Sequence, residues 1–473
     1  MALDAAQASF HSFFDVLDNA LVEQTKHLGF APDRIRLMVC MLSSLVFAQF
    51  QYTFLTRAPS AIKNLYAMSI GIFMMLWCFR LDCWVFLLTT SVTYILILAL
   101  PRKLAMYIGI PFVLTALLVS HLYTMLTDWG SYVFDFTGPQ MVITIKLYSL
   151  LVQLNDGANY SSDFVQKTSH IKHAAVKEIP SFLEYWGWLF FYPSVLILSC
   201  EFAHYKRFLD NPVYAEKEGR MKMFFGTFAT AFLCIVIGFG IGSAFFPISY
   251  IHSDAWLTET NFWYRCFYVF CCFGTIRFQY YFAWKLTECS FILNGYSYDD
   301  INGGWSRVCN IKILDFELGQ NYVAVSNAWN EAAARWLKYY VYVRVPFKGL
   351  EVFCTNIVAA IWHGFYPGFY LAFVTMGLFR NLSLKMRKVI RPHFLDDEGK
   401  PLPSKWFYDR ATWIFTILSI TYNFSVFVVY DVSGPQSSFR LLASMYYVGH
   451  IGWAILSVIF AILPAPKQKP KKP

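Results

Sequence analysis

Residues 223 to 251 read MFFGTFATAFLCIVIGFGIGSAFFPISYI and contain no Asp, Glu, Lys or Arg. The hydrocarbon core of a bilayer is about 30 Å thick and takes roughly 20 apolar residues of helix to cross. This stretch is a membrane span by length and composition alone. Outward from it, windows of the same kind run roughly over 35 to 55, 83 to 100, 104 to 126, 182 to 199, 261 to 284, 350 to 379, 411 to 430 and 441 to 463. The stretches 61 to 79, 141 to 154 and 328 to 345 are shorter or amphipathic and are expected as tilted, buried or re-entrant pieces. The expected fold is an all-α polytopic membrane protein of about eleven helices.

Composition agrees. Of 473 residues 57% are hydrophobic and 15% charged, against about 25% charged in soluble domains. The 47 Phe, 30 Tyr and 15 Trp rule out disorder, which needs few aromatics. The 11 cysteines fall well short of the roughly 8–10% typical of a disulfide scaffold. They lie mostly in apolar runs without CxxC spacing and read as core thiols. The net charge of +9 is concentrated next to spans rather than in a nucleic-acid motif. The clusters are Lys206, Arg207, Lys217, Arg220 and Lys222; Arg380, Lys385, Arg387, Lys388 and Arg391; and Lys467, Lys469, Lys471 and Lys472. Basic residues beside spans mark cytosolic loops, so the loops at 200 to 222 and 380 to 409 and the tail are expected in the cytosol. No nucleic acid is expected as a partner.

Three regions follow. Residues 1 to 34 form a polar N-terminal segment with Asp4, Asp15, Asp18, Glu23 and Asp33, unlike a cleaved signal, so the first span is expected as a retained anchor. Residues 35 to 463 form one membrane domain, and 464 to 473 a basic cytosolic tail. The tail ends Lys469, Pro470, Lys471, Lys472, Pro473 and fits the KxKxx pattern of endoplasmic-reticulum retrieval.

A polar side chain inside a span is costly and is a functional candidate by default. His121, His363 and His450 fall in long apolar runs, and His363 alone sits amid unusual backbone chemistry, in IWHGFYPGFY over 361 to 370. Pro367 cannot donate to the His363 carbonyl, so a helix here is expected to kink at the histidine. His121 and His450 read as core histidines. Upstream lies Asn327, Ala328, Trp329, Asn330, Glu331. Helical legs from Asn330 to Pro346 and from Gly349 to His363 rise about 24 Å and about 21 Å at ~1.5 Å per residue. If Pro346 to Gly349 is a turn, the two side chains reach similar depth. HExxH, GxSxG, P-loop, paired intramembrane aspartates and Asp-His-His-Cys are all absent from the sequence.

The blocks IWHGFYPGFY, NAWNEAAARWLKYYVYVR (327 to 344), DFTGPQMVITIKLYSLLVQLNDG (135 to 157), PSFLEYWGWLFFYPSVL (180 to 196) and YYFAW (280 to 284) together resemble the membrane-bound O-acyltransferase family, in its lysophospholipid branch. The likeness extends from about 35 to 463. The branch usually continues Gly-Pro where this chain has Leu198, Ser199 and Cys200. The resemblance implies a reaction chamber within the membrane and transfer of an acyl group from acyl-CoA to the free hydroxyl of a lysophospholipid. It makes His363 and Asn330 the catalytic pair, since Trp336 follows Asn330 by the motif's six residues, with Asn327 as rival. Neutral imidazole is the base best matched to deprotonating a hydroxyl near pH 7. An amide donor suits the thioester oxyanion, or else orients the imidazole. Such chemistry needs no metal and no cofactor beyond the acyl-CoA co-substrate.

Arg344, Lys348, Lys385 and Lys388 are candidates for the anionic coenzyme A, and Trp329, Trp362, Tyr366 and Phe369 for acyl or glycerol contacts. Each also has an ordinary reading, as positive-inside charge or packing. Two alternatives remain at this stage. One is a transporter, though the internal symmetry expected of many is not visible; the other is the same family acting on a sterol, diacylglycerol or protein. Among head groups, choline or ethanolamine with broad tolerance is expected.

Overall fold

The computed structural model describes residues 14–21, 23, 25, 31–130, 134–429 and 437–463. Among them run eleven helices of thirteen residues or more: α1 (Pro32–Phe50), α2 (Ser60–Phe79), α3 (Trp84–Ala99), α4 (Arg102–Thr127), α5 (Thr137–Ala158), α6 (Arg220–Ile235), α7 (Phe262–Leu293), α8 (Glu351–His363), α9 (Pro367–Ile390), α10 (Lys405–Val428) and α11 (Val448–Ile462). The only β feature in this described part is a bridge between Leu395 and Pro401. The all-helical expectation holds among the described residues, and their helix number is roughly that expected.

Among the described residues five stretches are long and apolar enough to cross a membrane: Pro32–Leu55, Ser60–Ala99, Arg102–Thr127, Arg220–His252 and Lys405–Val428. Ser438–Ser444 with Val448–Ile462, bent by 71°, makes a sixth if the pair is one span. Segment 61 to 79, expected as a minor piece, is thus most of the full-length helix α2. The basic tail, 464 to 473, lies outside the described residues.

The chain divides into two compact units. The first comprises Met1–Ala231, Ala283–Asn310 and Arg335–Pro346. Within it Asp18, from the polar N-terminal segment, accepts hydrogen bonds from Arg80 (2.5 Å) and the Trp77 indole (3.0 Å). Helix α5, expected as a short buried piece, is a 22-residue core helix with Gln140, Lys146 and Gln153 all buried.

The window 182 to 199 departs from expectation, because helix forms only over Phe182–Leu189, opened by a capping box of Ser181 and Glu184. Pro193 lacks the N–H that would bond the Leu189 carbonyl, so the helix cannot continue. Lys146 takes over that role, its ammonium donating to the carbonyls of Trp188 and Leu189 (3.0 Å each) and to the Ser194 hydroxyl (2.6 Å). Four aromatic residues beyond or at the break, Phe190, Phe191, Tyr192 and Trp188, are buried around it, and the segment is core rather than a span.

The second unit comprises Phe232–Phe282, Ile311–Ala334 and Phe347–Pro473. Here the charge-free stretch continues from α6 through a π-helical segment, Val236–Ile241, to Gly242–Phe245, and stops before Pro247. The wider π-turn fits close packing on α7. A Cβ on Gly238 would lie 2.8 Å from the Gln279 backbone nitrogen, and the Gln279 amide donates to the Gly238 carbonyl at 3.1 Å.

Candidate active site

His363 is the last residue of α8. Gly364 follows at φ 109° and ψ −163°, a region in practice open only to glycine. Tyr366 is extended, and Pro367 starts α9 at its first turn, where a missing N–H costs nothing. The expected kink is therefore a full break: glycine ends one helix, proline begins the next, and the histidine stands at the junction. Its ring lies among aromatic rings, with centroid distances of 4.7 Å to Trp362, 5.5 Å to Phe369, 5.5 Å to Phe373 and 4.9 Å to Phe427. Trp362 is buried and Tyr366 half-buried, and the Tyr366 ring packs 6.2 Å from Phe369.

Asn330 also stands at a break. The helix Tyr322–Ala328 ends, Trp329 is extended, and a new helix runs over Glu331–Trp336. Asn330 itself has φ 45°, the left-handed region that asparagine tolerates better than most side chains. Its backbone carbonyl accepts from Ala334 N–H at 2.9 Å and its Oδ1 from Ala333 N–H at 3.4 Å, an N-cap. With Oδ1 committed to the cap, Nδ2 is the group left to donate. Asn327 is an exposed residue of the preceding helix's last turn, so the two asparagines occupy different environments.

One helix joins the two neighbourhoods within the second unit. On α10, Phe424 packs 5.5 Å from Trp329 and 6.3 Å from Phe427, and Phe427 packs 4.9 Å from His363. Trp329 is further walled by Tyr280, Tyr281 and Phe316 at 6.0, 5.9 and 5.0 Å.

The other expected residues separate. Arg344 belongs to the first unit and is held in a bidentate pair with the buried Asp156 (3.0 and 2.6 Å), so its charge is already matched. Lys348 is exposed on the connection after Pro346, and Lys385 and Lys388 are exposed near the end of α9. Trp336 is buried in the first unit, edge-on to Tyr148 at 5.6 Å. His450 is a core histidine, as read: Nδ1 bonds the Tyr422 hydroxyl at 2.7 Å and Nε2 the Thr375 hydroxyl at 3.2 Å. His121 lies half-buried in α4. Arg277, which apolar windows do not single out, is buried in α7 with its carboxylate partner Glu317. Its signal was present, since a guanidinium inside the window 261 to 284 is as costly as a histidine.

His363 and Asn330 thus each stand at a helix break of the same unit. The family model described as MBOAT, membrane-bound O-acyltransferase family, matches residues 121–425, and the chain belongs to that family. It is an integral membrane protein. It is 29% identical to "Lysophospholipid acyltransferase" of Schizosaccharomyces pombe, over 92% of this chain and 87% of that one. It is 28% identical to "Lysophospholipid acyltransferase" of Saccharomyces cerevisiae, over 96% and 78%. To the human "Membrane-bound glycerophospholipid O-acyltransferase 2" the identity is 27%, over 93% and 86%.

Proposed function

We propose that this protein is an acyl-CoA-dependent lysophospholipid acyltransferase, which re-acylates the free hydroxyl of a monoacyl glycerophospholipid. The observation that carries the reading is similarity along nine-tenths of the chain to enzymes of that name; to the chemistry we assign His363, set among aromatic rings at a helix break, and Asn330, whose cap leaves its amide N–H to donate. His363 removes the proton from the acceptor hydroxyl as its oxygen attacks the thioester carbonyl. The carbonyl becomes a tetrahedral oxyanion, and the Asn330 amide donates to it. Collapse breaks the carbon–sulfur bond, and the imidazolium returns its proton to the departing CoA thiolate. The products are a diacyl phospholipid and CoA. Lys348, Lys385 and Lys388 are the basic residues offered to coenzyme A, and Trp329, Trp362 and Tyr366 are assigned to acyl or glycerol contacts.

A charged head group keeps the acceptor anchored at the interface while its hydroxyl descends, and a neutral acceptor lacks that anchor. The test is competition at equal concentration among lysophosphatidylcholine, -ethanolamine, -serine and -inositol, with diacylglycerol, a sterol and a peptide as controls, using purified enzyme and labelled acyl-CoA. The expected result is turnover of lysophospholipids, with choline and ethanolamine forms preferred. Preference for any of the three controls would overturn the substrate class.

The site of action we assign to the endoplasmic-reticulum membrane, with the C-terminus in the cytosol, on the strength of the KxKxx ending and the basic clusters beside spans. Replacing Lys469, Lys471 and Lys472 with Ala should release the protein to later compartments. An unchanged reticular pattern in fixed cells would remove the retrieval role.

A further inference from the structure

Arg277 lies within α7, its side chain 3% exposed. Its guanidinium is bidentate to Glu317 (3.0 and 2.9 Å) and donates to the Thr421 hydroxyl at 2.8 Å. The Tyr281 hydroxyl also donates to the Glu317 carboxylate (2.7 Å), and the Trp413 indole donates to the Glu317 carbonyl (2.7 Å). Glu317 closes a five-residue helix, Ile313–Glu317, which is thereby tied to α7 and α10.

The same short segment grips the residues on both sides of Asn330. The Lys312 backbone N–H donates to the Ala328 carbonyl at 3.0 Å, and the Lys312 ammonium pairs with Glu331 at 2.9 Å. Phe316 packs on Trp329 at 5.0 Å, and the Arg277 guanidinium lies over the Phe316 ring, 5.8 Å from its centroid. Asn330 thus holds its left-handed backbone between two residues, Trp329 and Glu331, that are both fastened to this segment.

Burying an ion pair is a poor way to gain stability, since apolar side chains of similar volume often do as well or better. What the pair supplies is a fixed geometry: a guanidinium fork accepts a carboxylate in one plane and register. We propose that Arg277 and Glu317 are positioning residues for acyl transfer, fixing through Phe316, Trp329 and Lys312 the backbone conformation that presents the Asn330 amide to the oxyanion. The proposal rests on the reading of Asn330 as that donor.

The experiment is a double-mutant cycle on the purified full-length enzyme, with kcat and KM for both substrates and a thermal midpoint for each variant. Arg277→Lys keeps the charge and loses the fork. It should lower kcat about tenfold or more with little change in KM, yet change kcat less than about twofold when Asn330→Gly is already present. Arg277→Met with Glu317→Leu removes the pair without stranding a charge, and should give a folded protein with the same loss of kcat, which keeps the test open if the lysine variant does not fold. Equal losses in the two Asn330 backgrounds, or a folded apolar double variant at the wild-type rate, would overturn the positioning role alone. An Asn330→Gly enzyme at the wild-type rate would overturn the donor role and this proposal with it.

Discussion

Replacing His363 with Ala is expected to lower kcat for acyl transfer by about 10²- to 10⁴-fold, the range a positioned general base contributes. Expression, detergent extraction and thermal midpoint should stay close to wild type. The reason is local. His363 ends α8, Gly364 carries the turn, and Pro367 starts α9, so the break is built by the glycine and the proline and survives loss of the imidazole. His363→Gln preserves more of the side chain's volume among Trp362, Phe369, Phe373 and Phe427 and should be equally inactive, which separates lost chemistry from lost packing. The measurement is the initial rate of the purified variants with labelled acyl-CoA and a lysophospholipid. Retention of more than about a tenth of the wild-type rate in a purified His363→Ala protein is incompatible with a general base at this position.

Removing the Asn330 amide is the second large effect. An oxyanion donor is worth about 10²- to 10³-fold in kcat, and the choice of substitution decides whether that figure is read cleanly. Ala at φ 45° adds backbone strain and also loses the cap, together on the order of 2–3 kcal/mol, so its loss of activity mixes folding with chemistry. Asp keeps both the cap acceptor and a tolerance for the left-handed region, yet offers no donor and sets a carboxylate against the oxyanion. Gly keeps the backbone at a cost of only a few tenths of a kcal/mol in capping. Both should fold and both should lose about two to three orders of magnitude in kcat, with KM nearly unchanged because the interaction forms in the transition state. Asn327→Ala, on an exposed turn, should stay within about twofold, as surface substitutions usually do. Kinetics of the three purified variants decide the matter, and a severe Asn327 effect beside a mild Asn330 effect would move the site one turn back.

Expectation and structure part at several places. Over 182 to 199 hydropathy alone indicates a span, yet helix stops at Leu189, because Pro193 withholds an N–H and Lys146 from α5 supplies the replacement donor. Over 350 to 379 one apolar window is two helices, because Gly364 and Pro367 act together where Pro367 alone suggested a kink. Arg344 reads from its position as a cation for coenzyme A, whereas Asp156, 188 residues away in sequence, already accepts both arms of its guanidinium. Lys146 and Asp156 are remote in the chain, where hydropathy windows and helical spacing see only local neighbours, whereas Gly364 and Pro367 are local and are averaged out by a hydropathy window.

The sequence by itself determined the membrane class, since water cannot solvate so many uncharged apolar helices and a bilayer sets their length. It also singled out His363, a polar group in an apolar run beside a helix-breaking Gly and Pro, while the choice of Asn330 over Asn327 came from the family resemblance. Tertiary structure alone decided how those residues are held. The cage of four rings around His363 comes from α8, α9 and α10, the wall from Trp329 to Phe427 is a face of α10, and the ledge under Asn330 hangs on a guanidinium in α7 and a carboxylate in a separate short helix. The physical reason is that orientation within a protein is set by contacts between elements, and a contact between residues dozens of positions apart leaves no periodicity for a sequence to display.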